Sequence, residues 1–150
     1  MKIIIGTDHA GYTLKYELVN KLKEKGYDVT DAGAFSTESC DYVDFAEEVA
    51  ANVANGNAYR GILICTTGIG MAIAANKVPG IRAALVVNTE TAKLTREHND
   101  SNILVLPGMY MNADEAMRIA QIWLNTEFSN IDRHIRRLNK IKELENKHLK

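Results

Sequence analysis

Residues 61–76, Gly61-Ile-Leu-Ile-Cys65-Thr-Thr-Gly68-Ile-Gly70-Met71-Ala-Ile-Ala-Ala-Asn76, decide how this chain folds. The apolar run Ile62-Leu63-Ile64 reads as a buried strand, Thr66 to Gly70 as the turn leaving it, and Met71 to Asn76 as the opening of a helix. Cys65 therefore stands at the carboxyl end of a strand beside a helix N-terminus, where open α/β sheets receive their ligands. Unpaired backbone N–H groups attract anions there, and the same field favours a thiolate over a thiol. Gly68 and Gly70 carry no Cβ, so the backbone can come close to whatever binds. The competing reading is a small buried apolar cysteine above an ordinary glycine turn.

Working outward, Lys2 to Ile5 is a short strand left through Gly6-Thr7-Asp8-His9-Ala10-Gly11. Leu14, Leu18 and Leu22 recur at helical spacing up to Gly26, a C-terminal stop. Tyr27 to Thr30 reads as a second strand, 33–40 as turn, and Asp41 to Asn55 as a helix with Val43, Ala46, Val49 and Val53 inward. Beyond the central stretch, Ile81 to Val87 is a strand, Thr89 to Glu97 a helix, Asn102 to Leu106 a strand and Asp114 to Leu124 a helix. A last helix, Arg133 to Lys147, has only the narrow apolar stripe Ile135, Leu138, Ile141 and Leu144, which suits lying along a partner subunit. Strands alternating with helices at this spacing predict βα units, a parallel sheet and helices on both faces.

The 150 residues are 46% hydrophobic and 25% charged, enough for one soluble domain, 1–150, with its own core. No apolar run approaches the roughly 18 residues of a membrane span. The opening Met-Lys-Ile-Ile-Ile is cut short by Gly6 and Asp8, unlike a secretory leader. A cytoplasmic protein is expected, and two cysteines in different settings, Cys40 and Cys65, suggest reduced thiols. The net charge of −1 argues against nucleic acid as a partner, although the segment 131–150 is locally basic.

Titratable groups gather near the strand ends: Asp8 and His9 after the first, Cys65 and Thr67 after the third, His98 and Asn99 before the fifth. Read as one crevice, these supply a base, an acid and hydroxyl or amide donors. Arg133 and Arg137 lie four apart on one helix face, beside His134 and Arg136, in the pattern of a phosphate clamp. Sharper chemistries fall away. A tyrosine-phosphatase loop needs an arginine where Met71 stands, a zinc site needs closely paired Cys or His, a dinucleotide fingerprint needs a third glycine beyond Gly6 and Gly11, and no serine elbow is present.

Gly6-Thr7-Asp8-His9-Ala10-Gly11, Cys65-Thr66-Thr67-Gly68-Ile69-Gly70, Ala74-Ala75-Asn76-Lys77, Arg96-Glu97-His98-Asn99-Asp100 and Arg133-His134 occur in that order over nearly the whole chain. Together they resemble the type B ribose-5-phosphate isomerase family, which also holds the galactose- and allose-6-phosphate isomerases. The resemblance implies a Rossmann-like α/β/α sandwich with a five-stranded parallel sheet in order 2-1-3-5-4. It further implies a homodimer, sometimes paired into tetramers, with sites at the dimer interface, and isomerisation of a sugar phosphate without metal or cofactor. By position, Cys65 resembles the base that moves a proton between C2 and C1. Thr67 and the amides around Gly68 and Gly70 would hold the enediolate with Asn99, and His98, aided by Asp8, would open the sugar ring. Tyr42 resembles a wall of the pocket; His9, Arg133, His134 and Arg137 fall in the phosphate region, the arginines reaching in from the other subunit. Met71 occupies the place where another branch carries a glutamate base, so this chain resembles the cysteine branch. Thr66, Met109 and Ile131-Asp132 depart from a usual glycine, a phosphate-binding arginine and a glycine pair. Those departures leave open a six-carbon phosphate or an unphosphorylated sugar, and, from another class, a binding module without catalysis.

Overall fold

Runs of β-branched residues that are apolar on consecutive positions can be buried on both faces, as a parallel sheet requires. The computed structural model, which describes residues 1–149, contains five strands, β1 (Lys2–Thr7), β2 (Asp28–Asp31), β3 (Arg60–Cys65), β4 (Ala83–Leu85) and β5 (Ile103–Pro107), of which the inner three are such buried runs and β2 and β4 are partly exposed edges. They pair in parallel in the order β2-β1-β3-β5-β4. Six α-helices connect or follow them: α1 (Tyr12–Glu24), α2 (Tyr42–Ala54), α3 (Ile69–Ala75), α4 (Thr89–Asn99), α5 (Ala113–Asn125) and α6 (Asp132–His148). Short 3-10 turns at His9–Gly11 and Gly108–Tyr110 follow β1 and β5.

Alternation along the strands splits the core in two. Ile3, Ile5, Ile62, Ile64, Leu104 and Leu106 pack on one face against Leu18 and Leu22 of α1 and Ala116, Ala120 and Trp123 of α5. Ile4, Leu63, Ile103 and Val105 pack on the other face against Ala46, Val49 and Ala50 of α2 and Met71 and Ala75 of α3. A Cβ on Gly61 would come within 2.7 Å of Val49 Cγ1, so glycine in β3 is what lets α2 lie this close.

The sequence-based architecture and strand order are those found, with local corrections. Val43 is 46% exposed, because α2 turns its Ala46-Val49-Ala50-Val53 face to the sheet and Val43 falls outside that arc. β4 is three residues long and not seven: it is an edge strand paired with β5 alone. α3 starts at Ile69, two residues before the expected Met71, so Gly70 lies inside its first turn.

Lys15 is a residue that periodicity does not single out. It is 1% exposed, with its ammonium 2.9 and 2.7 Å from the two Asp31 oxygens and 5.2 and 5.1 Å from the Tyr12 and Phe35 ring centres. Asp31 Oδ1 also accepts from Gly33 N–H at 2.9 Å, so the pair fixes the segment leaving β2. Asp31→Ala leaves a buried ammonium unpaired and is expected to cost about 2–4 kcal/mol in urea unfolding, with Lys15→Met/Asp31→Ala recovering much of the loss. A double variant no more stable than Asp31→Ala would show that the pair is not what the single change removes.

Candidate active site

Strands of one parallel sheet end together, so the sheet itself assembles the first half of a site. Thr7 lies opposite Ile64 and Cys65 opposite Pro107, which brings the exits of β1, β3 and β5 to one edge. Cys65 is 6% exposed, and Gly68 N–H donates to its Sγ at 3.2 Å. The turn can aim that N–H because Gly68 takes φ +78°, a left-handed conformation that side chains resist, and a Cβ there would collide with Leu85. Thr67 Oγ1 accepts from Ile69 N–H at 3.3 Å. A Cβ on Gly70 would come within 2.7 Å of the Tyr42 ring, which therefore stands directly over the glycine turn.

Asp8 is buried, and its Oδ1 accepts from Gly11 N–H at 3.2 Å. His9 Nδ1 accepts from Cys40 N–H at 3.2 Å, which puts the proton of a neutral ring on Nε2. Asp8, His9, Tyr42, Cys65, Thr67 and the Gly68–Gly70 turn thus form one carboxyl-edge cluster.

His98 and Asn99 do not join it. α4 continues past Glu97 through Asn99, ends at Asp100 with φ 45°, and returns the chain to the start of β5. Gly61 N–H donates to Asn102 O at 3.0 Å, so this segment sits at the amino end of β3. A six-residue strand covers about 16 Å, and that length of buried sheet separates His98 from Cys65 within one chain. The single crevice expected from sequence is therefore, within one chain, two clusters on opposite edges of the sheet.

The amino-edge half rests on a network that the sequence reading missed. Arg60, 5% exposed, donates to the Trp123 and Leu124 carbonyls at 2.9 and 3.3 Å, satisfying the end of α5. Burial first, then the Arg96 charge, lower the Arg60 pKa from the ordinary guanidinium value. Trp123 Nε1–H donates to Ser101 Oγ at 2.9 Å, and Arg96 donates to Asp100 Oδ1 at 2.8 Å and to the Ser101 carbonyl at 2.6 Å. Two arginines in the interior carried the only signal: Arg60 has no sequence-local partner that explains its burial, whereas Arg96 pairs with Asp100 four residues on. Further along this edge, Arg133 and Arg137 are exposed on α6, whereas His134 between them is 4% exposed and packs its ring 4.3 Å from that of His98. His134 is thus enclosed, whereas the arginines on either side of it face solvent. An open groove of about 610 Å³ under the far half of α6 is lined by Asn99, Arg82, Ile141 and Leu144, and Glu145 Oε1 beside it accepts from Gly80 N–H at 2.9 Å.

With this geometry in hand, the comparisons define the class: residues 3–141 match the family model described as Ribose/Galactose Isomerase, and the chain belongs to that family. Among its relatives, ribose-5-phosphate isomerase B of Escherichia coli is 42% identical over 96% of both chains. The solved structure of Clostridium thermocellum ribose-5-phosphate isomerase B is similar with TM-score 0.97 and 50% identity, covering 99% of this chain and 100% of the other. That of Mycoplasma genitalium ribose-5-phosphate isomerase B with bound ribulose 5-phosphate is similar with TM-score 0.91 and 41% identity, over 97% and 96% of the two chains.

Burial, then the charges of His98, Arg133 and Arg137, lower the His134 pKa from 6.5. Below about pH 6.5 the unfolded chain thus binds a proton that native His134 refuses, so its contribution to stability is present above that pH and is lost as pH falls. Thermal melts from about pH 8 to 5 are expected to show a steeper acid loss for wild type than for His134→Phe. Parallel curves for the two proteins would refute the assignment.

Proposed function

We propose that this protein interconverts ribose 5-phosphate and ribulose 5-phosphate through a cis-enediolate, with Cys65 as base and no metal or cofactor. The observation that carries the reading is Cys65 Sγ at the exit of β3, held at 3.2 Å by the Gly68 N–H of the glycine turn that follows it. The C2 proton of the open-chain aldose passes to Sγ, its electron pair becomes the C1–C2 double bond, and O1 takes the charge. O2 then gives its proton to O1, Cys65 returns a proton to C1, and the C2 carbonyl of the ketose forms. Such a proton is weakly acidic, so the oxyanion needs donors fixed in advance, here Thr67 and the amides of the Gly68–Gly70 turn.

The remaining functions require a second copy. With His98 and Asn99 on the edge opposite Cys65, a homodimer that pairs the carboxyl edge of one chain with the amino edge of the other completes two equal sites. His98 of one copy would then open the ring beside Asp8 of the other, Asn99 would donate to the enediolate, and Arg133 and Arg137 would join His9 on the phosphate. Exposed apolar residues support such an interface: Ile69 and Ile73 on α3 are 54% and 60% exposed, and Ile141 and Leu144 on α6 are 49% and 59% exposed. Met109, 64% exposed at the β5 exit, brings no charge, so the phosphate rests on His9 and the two arginines. Free Cys40 and Cys65 suit a reducing cytoplasm, and no described helix is long and apolar enough to cross a membrane.

Incubation with ribose 5-phosphate in heavy water is expected to give ribulose 5-phosphate carrying deuterium at C1, and Cys65→Ala to abolish both product and exchange. Exchange persisting at the wild-type rate in Cys65→Ala would sink Cys65 as base. Mixing inactive Cys65→Ala with inactive His98→Asn, after subunit exchange, is expected to restore about a quarter of wild-type activity, since half the dimers are mixed and each regains one of two sites. A mixture as inactive as its parts would rule out the shared site.

A further inference from the structure

α4 and α6 meet at one joint. Ser129 N–H donates to the Glu97 carbonyl at 3.2 Å, Ile131 N–H donates to Ser129 Oγ at 3.3 Å, and that oxygen lies 2.7 Å from His134 Nδ1. The His134 ring is tilted 40° to that of His98. Arg133 and Arg137 on the same helix are exposed, but His134 is buried with its Nδ1 committed to Ser129. A ring so enclosed has little to offer a phosphate arriving from solvent. What it presents is a flat wall to a half-buried imidazole at the end of α4.

We propose that His134 is a positioning residue: it holds the His98 ring in the orientation that opens the sugar and ties it to the Arg133–Arg137 clamp as one unit. This rests on the isomerase reading above. Ring opening breaks the C1–O4 bond, gives O4 a proton and removes one from O1 as the C1 carbonyl forms. His98 has to face both oxygens for that relay, and a free imidazole at a helix end samples several rotamers. Packing against His134 restricts them, as a supporting shell must for a reacting group. A neutral His134 also adds no second positive charge when His98 carries the relayed proton, and its lowered pKa agrees with this.

Two rates separate positioning from binding. Ketose formation from ribose 5-phosphate needs ring opening. Deuterium entry at C1 of ribulose 5-phosphate does not, because O5 is esterified and the ketose stays open. His134→Ala is expected to lower the first rate about tenfold or more while leaving the second, and KM, within about twofold. His134→Phe, which restores a ring without ring nitrogens, is expected to bring the first rate back to within about threefold of wild type. Arg133→Ala serves as the contrast, raising KM for both sugars.

A KM that rises in both His134 variants as in Arg133→Ala would make His134 a phosphate ligand and overturn the proposal. Equal loss of both rates in the Ala and Phe variants would make it a folding residue only, and unchanged rates would make it idle; each also overturns it. C1 exchange in each variant reports a folded site. If wild type shows neither rate, the isomerase reading itself fails, and the packing is still tested by the His98 Hε1 resonance, which loses its ring-current shift in His134→Ala and keeps one in His134→Phe.

Discussion

β3 has no free edge and no free face. It pairs with β1 on one side and β5 on the other, and all six of its residues are buried. The only points at which it meets the surface are its two ends, and the rest of the molecule is arranged around them. At the carboxyl end the backbone has donors left over, and the glycine turn closes one of them onto the Cys65 sulfur. At the amino end a buried charge has to be satisfied, and Arg60 finds two carbonyls of α5 and the faces of Tyr59 and Trp123, 5.2 and 5.1 Å away. A cysteine held by a glycine turn and a buried arginine platform are thus the two terminations of one strand.

Much of the fold was legible because a parallel sheet writes itself locally. Ile3 to Ile5, Ile62 to Ile64 and Ile103 to Leu106 are continuous apolar runs, and Leu18, Leu22, Ala116, Ala120 and Trp123 repeat at helical intervals into the core. What failed was what depends on direction in space. His98 reads as joining the crevice at the strand exits, but α4 runs back from the exit of β4 to the start of the parallel β5 and carries it to the opposite edge. Lys15 reads as a surface residue because its partner, Asp31, lies in the next strand and nothing in the local pattern announces the match. His134 reads as one of a basic row on α6, and only the approach of α4 encloses it. In each case the deciding contact joins elements distant in sequence, beyond the reach of any periodicity.

The two edges of the sheet suit different chemistry. A backbone turn supplies fixed dipoles and suits a developing oxyanion, whose charge appears within a bond or two of the base. Long flexible cations on a solvent-exposed helix suit a dianion several bonds from the reacting carbons, where reach counts for more than fixed aim. Tyr42 over Gly70 shows how tightly the first kind is built, since one methyl group on that glycine would occupy the ring's place. Asn99, by contrast, lies exposed at the rim of an open groove.

α6 is held to its own subunit at both ends, by His134 against α4 and by Glu145 on the Gly80 amide. Long arms that reach a partner are commonly ordered only on contact, and association then has to overcome their lost freedom. Here that entropy is already surrendered during folding of the single chain. In the homodimer proposed above, two such chains would meet as finished shapes, their encounter governed by diffusion and orientation with little to rearrange afterwards.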